Sequence, residues 1–281
     1  MNGPPIRSRA LEAIYARLEP RIRAHTQYLL AQYPIDGDRT IAPDDAMFTG
    51  DTEAYLLASL SALHAIEIAL RAAQRTPAGI RRILDLPCGH GRVMRVLRAA
   101  FPDREIVACD IERPGVDFCA SRFGAVPVYS RAEAELIELP GAFDLIWVGS
   151  LFTHLDAPQW HTFLERFARA LAPGGVLVFT TAGRLVAELI GAGEASGLPP
   201  DGTRLLLEEF ARDGFGFARY AGTATRAQDI DQAYGRAVAH PGWVLAQLSA
   251  HPELRLVNYT EQTWDTRQDV FAVVRDRGTM G

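Results

Sequence analysis

The feature that most constrains the fold of this chain is a regular alternation of strand-like and helix-like segments between residues 80 and 181. Short apolar runs predict strands, and each is followed by a segment with the hydrophobic spacing of a helix. Such alternation implies parallel strands joined by right-handed crossovers, with helices on both faces of one sheet. The predicted strands lie near 82–86, 105–109, 125–129, 143–149 and 175–181, and the predicted helices near 91–101, 114–122, 131–137 and 157–172.

The first predicted strand runs into a glycine-rich turn, with the sequence ILDLPCGHG over residues 83–91. Gly89 and Gly91 stand where the backbone must bend sharply and where a missing side chain lets a ligand come close. Asp85 precedes the turn at the carboxyl end of the strand, the edge at which open α/β sheets bind ligands. The second strand ends in Asp110, where a carboxylate is placed to accept both hydroxyls of a ribose. Together these residues predict an adenosine-type cofactor.

The turn lacks the features of phosphate-binding loops. Met94 replaces the third glycine of G-x-G-x-x-G, and G-x-x-x-x-G-K-[ST] is absent from a chain that contains no lysine. Asp85 is expected to place negative charge at the mouth of the turn, which repels phosphate and suits an amine and a sulfonium. The pattern therefore favours a cationic nucleoside without phosphate and argues against a nicotinamide-dependent oxidoreductase, which stays an alternative.

Four segments in this order resemble the class I S-adenosylmethionine-dependent methyltransferases. The resemblance covers residues 80–183 well and residues 251–275 loosely. It implies S-adenosylmethionine as the cofactor and a three-layer Rossmann-like α/β fold, with a seven-stranded sheet in the order 3-2-1-4-5-7-6. The four segments are ILDLPCGHG (83–91), IVACD (106–110), FDLIWVGSLFTHL (143–155) and LAPGGVLVFT (171–180).

The pattern along the chain divides it into four parts. Helical spacing predicts an N-terminal cap, in which Pro20 is expected to break or kink the first helix. The regular alternation stops at Gly183, and the insertion that follows is predicted to be a lid for substrate, because loops on a rigid scaffold carry specificity. The parts are the helical cap (1–79), the cofactor-binding core (80–183), the insertion (184–250) and a C-terminal hairpin that completes the sheet (251–281).

The resemblance places the cofactor against the glycine turn and the ends of the next three strands. Ser130 stands where many members have an acidic residue for the adenine. Cys88 follows Pro87 as in cytosine-C5 methyltransferases, but it lies in the glycine turn and is interpreted as a small filler. The expected cofactor contacts are Asp85, Pro87, Cys88, Gly89, Gly91, Asp110, Ile111, Ser130, Gly149 and Ser150.

His154 is the candidate catalytic base, since the resembled fold places groups that follow the fourth strand near the transferred methyl. A neutral imidazole can take a proton from a hydroxyl or amine as it attacks. The alternative is a structural histidine at the start of the next helix, hydrogen-bonded to Asp156.

Two places are predicted to shape the acceptor pocket. Met47 and Tyr55 lie at the junction of the N-terminal helices, and Trp264 and Gln268 lie in a polar hairpin whose tryptophan suits a polyhydroxylated acceptor such as a sugar. The alternatives are a helix N-cap with core aromatics for the first place and an ordinary turn for the second.

Composition restricts the partners. A net charge of -5 argues against a general nucleic-acid-binding role. The three cysteines have no metal-like spacing, so we expect neither a zinc site nor a disulfide framework. The set of Asp and Asn residues that binds magnesium in the catechol O-methyltransferases has no evident counterpart, so we expect no metal dependence. The sequence contains neither a signal-peptide pattern nor an apolar run of membrane-spanning length, so we expect a cytoplasmic location and no membrane partner. The sequence leaves the oligomeric state open.

The predicted reaction is in-line transfer of the methyl group of S-adenosylmethionine to an oxygen, or second a nitrogen, of a small-molecule or glycan acceptor. The main alternative is a non-catalytic protein of the same fold that serves as a binding or regulatory partner.

Overall fold

A seven-stranded sheet lies at the centre of the protein, in the strand order β3-β2-β1-β4-β5-β9-β8. The computed structural model describes residues 8–33, 38–134, 137–220 and 234–276. The strands of this sheet are β1 (Arg82–Asp85), β2 (Glu105–Asp110), β3 (Val126–Tyr129), β4 (Phe143–Val148), β5 (Leu171–Thr181), β8 (Leu254–Trp264) and β9 (Gln268–Arg275). A separate two-stranded sheet contains β6 (Phe215–Arg219) and β7 (Gly235–Ala239).

The sheet has the predicted topology. Strands β1 to β5 pair in parallel, whereas β9 is antiparallel to both of its neighbours, β5 and β8. The predicted order is therefore confirmed, with β8 and β9 as the sixth and seventh strands of the sheet. The direction of strand succession reverses between β1 and β4, which opens a crevice at their carboxyl ends.

Helices cover both faces of this sheet. They are α1 (Arg9–Gln32), α2 (Thr52–Ala72), α3 (Met94–Ala100), α4 (Arg113–Phe123), α5 (Ala157–Ala170), α6 (Arg184–Gly191), α7 (Pro200–Asp213) and α8 (Pro241–Ser249), with a 3-10 turn at Pro77–Gly79. The helix predicted near 131–137 falls partly on residues 135–136, outside the described ranges.

Side chains of successive strand residues pack into two separate hydrophobic cores, one on each face of the sheet. Ile83 packs with α2, α3 and α4 on one face of the sheet, and its neighbour Leu84 packs with α5 and α8 on the other. Trp147 and Val148 of β4 alternate in the same way, because side chains along a strand point to opposite faces. This explains the unbroken apolar runs in the central strands and gives the three-layer architecture.

Of the two effects predicted for Pro20, a break or a kink of the first helix, the break does not occur. Helix α1 continues through Pro20 to Gln32, and Ser8 caps its start by accepting a hydrogen bond from the Leu11 N–H at 3.1 Å. The apolar face of α1 packs against α6, which offsets the backbone hydrogen bond that the proline ring removes. The packed residues are Leu11, Ile14 and Leu18 of α1 and Leu185 and Leu189 of α6.

Helix α2 is a core helix. Asp51 caps it by accepting a hydrogen bond from the Ala54 N–H at 3.0 Å. It is the one helix in the described part of the chain that is long and apolar enough to cross a membrane, but 67% of its apolar window is buried inside the protein. The Trp264 indole donates to the Ala58 carbonyl at 3.0 Å and fastens α2 to the end of β8.

Candidate active site

A cavity of about 520 Å³ opens at the carboxyl ends of the parallel strands. Its lining comes from the loop before α2, the glycine turn after β1, the ends of β2, β3 and β4, the start of β7 and the turn between β8 and β9. The predicted cofactor residues that line it are Pro87, Cys88, Gly89, Asp110, Ile111, Ser130, Gly149 and Ser150, and the predicted acceptor-side residues are Met47, His154, Trp264 and Gln268. Three predicted site residues, Asp85, Gly91 and Tyr55, are not part of the lining.

Asp110 links the end of β2 to the glycine turn. Its carboxylate accepts the Gly89 N–H at 2.8 Å and the Glu112 N–H at 3.0 Å, one on each oxygen. Burial raises the pKa of this carboxyl, and the two backbone N–H groups oppose that rise. Each oxygen keeps a second acceptor position, so the side chain can still bind hydroxyl groups in the cavity.

The backbone at Gly89 leaves room for a ligand. Its φ of +48° lies in the left-handed region, and no atom comes within 4 Å of the position that a Cβ would occupy. The open side of Gly89 and the remaining acceptor positions of Asp110 fit a nucleoside whose ribose lies against the turn.

The structure corrects the predicted position of Asp85. The side chain is completely buried beneath the turn, and among the described residues neither of its oxygens has a hydrogen-bond partner. Burial raises the pKa of Asp85 well above its usual range, and the nearby charge of Asp110 adds to the rise. Since burial favours the uncharged carboxyl, Asp85 does not supply the negative charge that the sequence predicted at the mouth of the turn.

Gly91 is required for packing rather than for ligand approach, which corrects the prediction. Its φ is +79°, and a Cβ there would lie 2.5 Å from the Phe123 ring. The Cys119 sulfur lies 3.2 Å from the same position. Gly91 therefore lets the turn pack against α4.

We expect Gly91→Ala to lower the free energy of unfolding by about 2–4 kcal/mol, since a left-handed backbone costs about 1–2 kcal/mol and overpacking a further 1–3 kcal/mol. Gly124→Ala is the control: its φ is +63°, but nothing lies within 4 Å of its Cβ position. Urea unfolding of both variants measures the difference. Equal losses of stability would show that the contact with Phe123 is unimportant.

Tyr55 is a buried aromatic residue of the core. This corrects its prediction as a substrate residue and agrees with the alternative of a core aromatic. Its hydroxyl donates to Asp45 at 2.6 Å, and its ring packs edge-on against Phe48 at 5.9 Å between centroids. Asp45 lines the cavity and accepts the Met47 N–H at 2.9 Å. Tyr55 thus acts through Asp45 to position the loop that carries Met47.

Trp264 and Gln268 form a wall whose polar groups are already bonded within the protein. The Trp264 ring stands perpendicular to Trp147 at 5.4 Å, and its N–H is bonded to helix α2. Gln268 donates to the Ser150 hydroxyl at 2.7 Å and accepts from the Thr180 hydroxyl at 2.7 Å. This arrangement leaves few of their polar groups for a polyhydroxylated acceptor.

His154 lies in the loop after β4, with its ring stacked on Tyr234 at 4.6 Å between centroids. Its Nδ1 lies 2.9 Å from the Gly235 carbonyl oxygen. A carbonyl can only accept, so we assign the proton to Nδ1 and the lone pair to Nε2. Burial, and to a smaller extent the charge of Arg236, lowers the pKa of His154 to about 4. The imidazole is therefore neutral near pH 7, as a general base must be.

The alternative pairing of His154 with Asp156 is not observed. Asp156 instead caps α5 by accepting the Gln159 N–H at 3.0 Å.

Strand β7 holds the His154 loop in place. The Gly235 N–H donates to the His154 carbonyl at 3.0 Å, and the Ala237 N–H donates to the Thr153 carbonyl at 2.8 Å. Tyr234 forms an isolated β-bridge with Leu155. The small sheet is therefore joined to the loop that carries the candidate base.

Sequence reasoning missed the contribution of β7. The segment YGRAVA, residues 234–239, has the composition of a short strand, but no strand was predicted between 184 and 250. Other cavity residues that were missed include Asp45, Arg92, Glu112, Arg131, Thr153, Gln159, Phe163, Ala182 and Val186. In the described part of the chain no three His, Cys, Asp or Glu side chains group as metal ligands would, and metal independence stays a prediction.

Comparison with known proteins identifies the domain. Residues 84–177 match the protein family described as a methyltransferase domain. The chain is 31% identical over 102 residues to a malonyl-[acyl-carrier protein] O-methyltransferase of Anoxybacillus flavithermus, covering 36% of this chain and 39% of that protein. It is 29% identical over 104 residues to a fatty-acid O-methyltransferase of Mycolicibacterium smegmatis, covering 36% of this chain and 37% of that protein.

A solved structure shares the fold. An S-adenosylmethionine-dependent methyltransferase from Clostridium acetobutylicum aligns with a TM-score of 0.50 at 14% identity, over 77% of this chain and 91% of that chain. The resemblance to class I S-adenosylmethionine-dependent methyltransferases is therefore confirmed for the domain and for the fold. The chain spans less than two fifths of the length of the two curated relatives described above.

Proposed function

We propose that this protein transfers the methyl group of S-adenosylmethionine to a hydroxyl oxygen of a small-molecule acceptor. The observation that carries the proposal is that Asp110 and His154 line one cavity, so that the expected ribose ligand and the candidate base face the same space. At about 520 Å³, the cavity falls within the range of about 300–1,000 Å³ typical of small-molecule sites.

Oxygen is favoured over nitrogen because both curated relatives are named O-methyltransferases. A small molecule is favoured over a glycan because Trp264 and Gln268 use their polar groups inside the protein. The apolar side chains of Phe163 and Val186 in the lining favour an acceptor with an apolar body.

S-adenosylmethionine supplies a methyl group on a positively charged sulfur, which is already activated for in-line displacement. Asp110 accepts hydrogen bonds from the ribose hydroxyls, and Gly89 lets the nucleoside approach the backbone. With this cofactor bound, the acceptor oxygen would form a bond to the methyl carbon as the carbon–sulfur bond breaks and its electron pair stays on sulfur. His154 Nε2 would take the hydroxyl proton. The protein contributes alignment, exclusion of water and a proton acceptor.

The insertion, residues 184–250, acts in this proposal as a lid on the core (80–183). Strand β7 supports this role, since it brings Tyr234 and Arg236 into the cavity lining. The cap (1–79) contributes Met47, and the C-terminal hairpin (251–281) contributes Trp264. We infer a cytoplasmic protein whose acceptor is neither a nucleic acid nor a membrane.

Calorimetric titration with S-adenosylmethionine, with NAD⁺ as the control ligand, tests the proposal. We expect micromolar binding of S-adenosylmethionine alone, followed by release of S-adenosylhomocysteine when hydroxylated small molecules are added. Binding of NAD⁺ alone would favour the oxidoreductase alternative. Cofactor binding without S-adenosylhomocysteine release from any acceptor would favour the non-catalytic alternative.

A further inference from the structure

Strand β7 places a cation beside the candidate base. Arg236 lines the cavity, one residue after Gly235, whose carbonyl lies 2.9 Å from His154 Nδ1. The hydrogen bonds of Gly235 and Ala237 to the His154 loop fix the backbone on both sides of Arg236. The guanidinium lies close enough to His154 for its charge to act on the imidazole.

Arg236 differs from the other arginines of the cavity. Arg267 forms an ion pair with Glu194, and Arg92 lies over the Trp264 ring at 5.4 Å. Burial raises the pKa values of Asp85 and Asp265, and the charge of Arg92 opposes part of that rise. Arg131 is exposed to solvent.

Two tyrosine hydroxyls and one carboxylate that is already paired surround Arg236. Arg236 forms no ion pair within the described ranges, and its Nε is buried without a hydrogen-bond partner. Its side chain is hydrogen-bonded to Tyr220, and its charge also acts on Tyr234. The carboxylate on which it acts is Glu194, which is itself bonded to Tyr15 and Arg267.

Among the described residues no carboxylate forms an ion pair with Arg236, so this partly buried guanidinium calls for a ligand of opposite charge. Burying a charge is costly unless it is paired and hydrogen-bonded. The planar fork of arginine matches a carboxylate, which can accept two parallel N–H bonds. Phe163, Leu155 and Val186 supply an apolar wall in the same cavity.

We propose that the acceptor is a hydroxylated carboxylic acid with an apolar body, and that Arg236 binds its carboxylate while the hydroxyl faces His154. This assignment rests on the proposed methyl transfer and names its substrate class. Arg236 is then the residue that determines specificity, because a neutral analogue would leave the guanidinium unpaired.

Two probe acids, salicylate and 3-hydroxyoctanoate, test this assignment, each paired with its own primary amide. They are titrated calorimetrically into the protein saturated with S-adenosylhomocysteine. At least one acid is expected to bind about tenfold or more tightly than its amide, as a charge-assisted hydrogen-bond pair requires. Arg236→Met should abolish this preference. Arg219→Met, an exposed arginine on the paired strand β6, should preserve it.

The affinity for S-adenosylhomocysteine separates the possible outcomes. Loss of acid preference in Arg236→Met with unchanged S-adenosylhomocysteine affinity supports the assignment. Weakened S-adenosylhomocysteine binding in that variant would show that the guanidinium holds the carboxylate of the cofactor, which overturns it. Equal binding of both acids and their amides to the unmodified protein also overturns it. Failure of S-adenosylhomocysteine to bind at all would instead refute the proposed function.

Discussion

Replacing His154 with alanine is expected to lower kcat about 10²–10⁴-fold, the usual contribution of a general base. The affinity for S-adenosylmethionine should stay unchanged, because the groups expected to hold the ribose are Asp110 and Gly89 rather than His154. The measurement is the rate of S-adenosylhomocysteine release at saturating cofactor, combined with calorimetric titration of the same variant. His161→Ala is the matched control, since His161 is an exposed histidine on the next helix.

The pH dependence distinguishes a base from a structural histidine. The pKa of His154 is lowered to about 4, so the neutral imidazole persists well below pH 6.5. We expect kcat to be constant down to about pH 5 and to fall below about pH 4, as Nε2 becomes protonated. Arg236→Met removes a positive charge that favours the neutral ring, so it should move this fall to higher pH.

Activity should be assayed briefly at each pH and then again after return to pH 7, so that acid unfolding is recognised. A fall centred near pH 6.5 would mean that His154 is not held neutral by its surroundings. Full activity in His154→Ala would show that the histidine is structural, through its contacts with Gly235, Tyr220 and Tyr234.

The central part of the fold could be predicted because neighbouring residues of its strands are apolar on both faces of the sheet. Ile83 and Leu84 are both apolar because each packs into a different core, and this pattern requires a parallel sheet covered on two sides. The position of Asp110 followed from the same logic, since it ends a strand one βα unit after a glycine turn.

The local sequence does not show which polar side chains are buried or which partners they contact in the folded protein. The sequence predicts Asp85 as a site carboxylate, but its side chain is completely buried and does not line the cavity. Tyr55 is explained by its hydrogen bond to Asp45 in the preceding loop, and the unbroken helix at Pro20 by packing against the distant helix α6. Arg236 lies near enough to His154 to act on it by charge because strand β7 bonds to the loop after β4, and the sequence near either residue does not predict this proximity.

Asp110→Ala is expected to weaken S-adenosylmethionine binding by about tenfold or more, since two hydrogen bonds to a charged acceptor are lost. Calorimetric titration measures the change in Kd. Burial raises the pKa of Asp110 above 3.8, so in the unmodified protein cofactor binding should weaken on acidification at a higher pH than it would for an exposed aspartate. Asp103→Ala is the control, because Asp103 is an exposed carboxylate that precedes the opposite end of β2.

A second variant separates loss of the carboxylate from distortion of the turn. Asp110 also accepts the Gly89 N–H, so its removal perturbs the backbone there. A Cβ on Gly115 would lie 2.4 Å from the Gly89 carbonyl oxygen, so Gly115→Ala disturbs the same turn while Asp110 stays in place. If both variants unfold at the same urea concentration and only Asp110→Ala loses the pH dependence of binding, the carboxylate itself holds the cofactor. An unchanged Kd in Asp110→Ala would remove the ribose assignment.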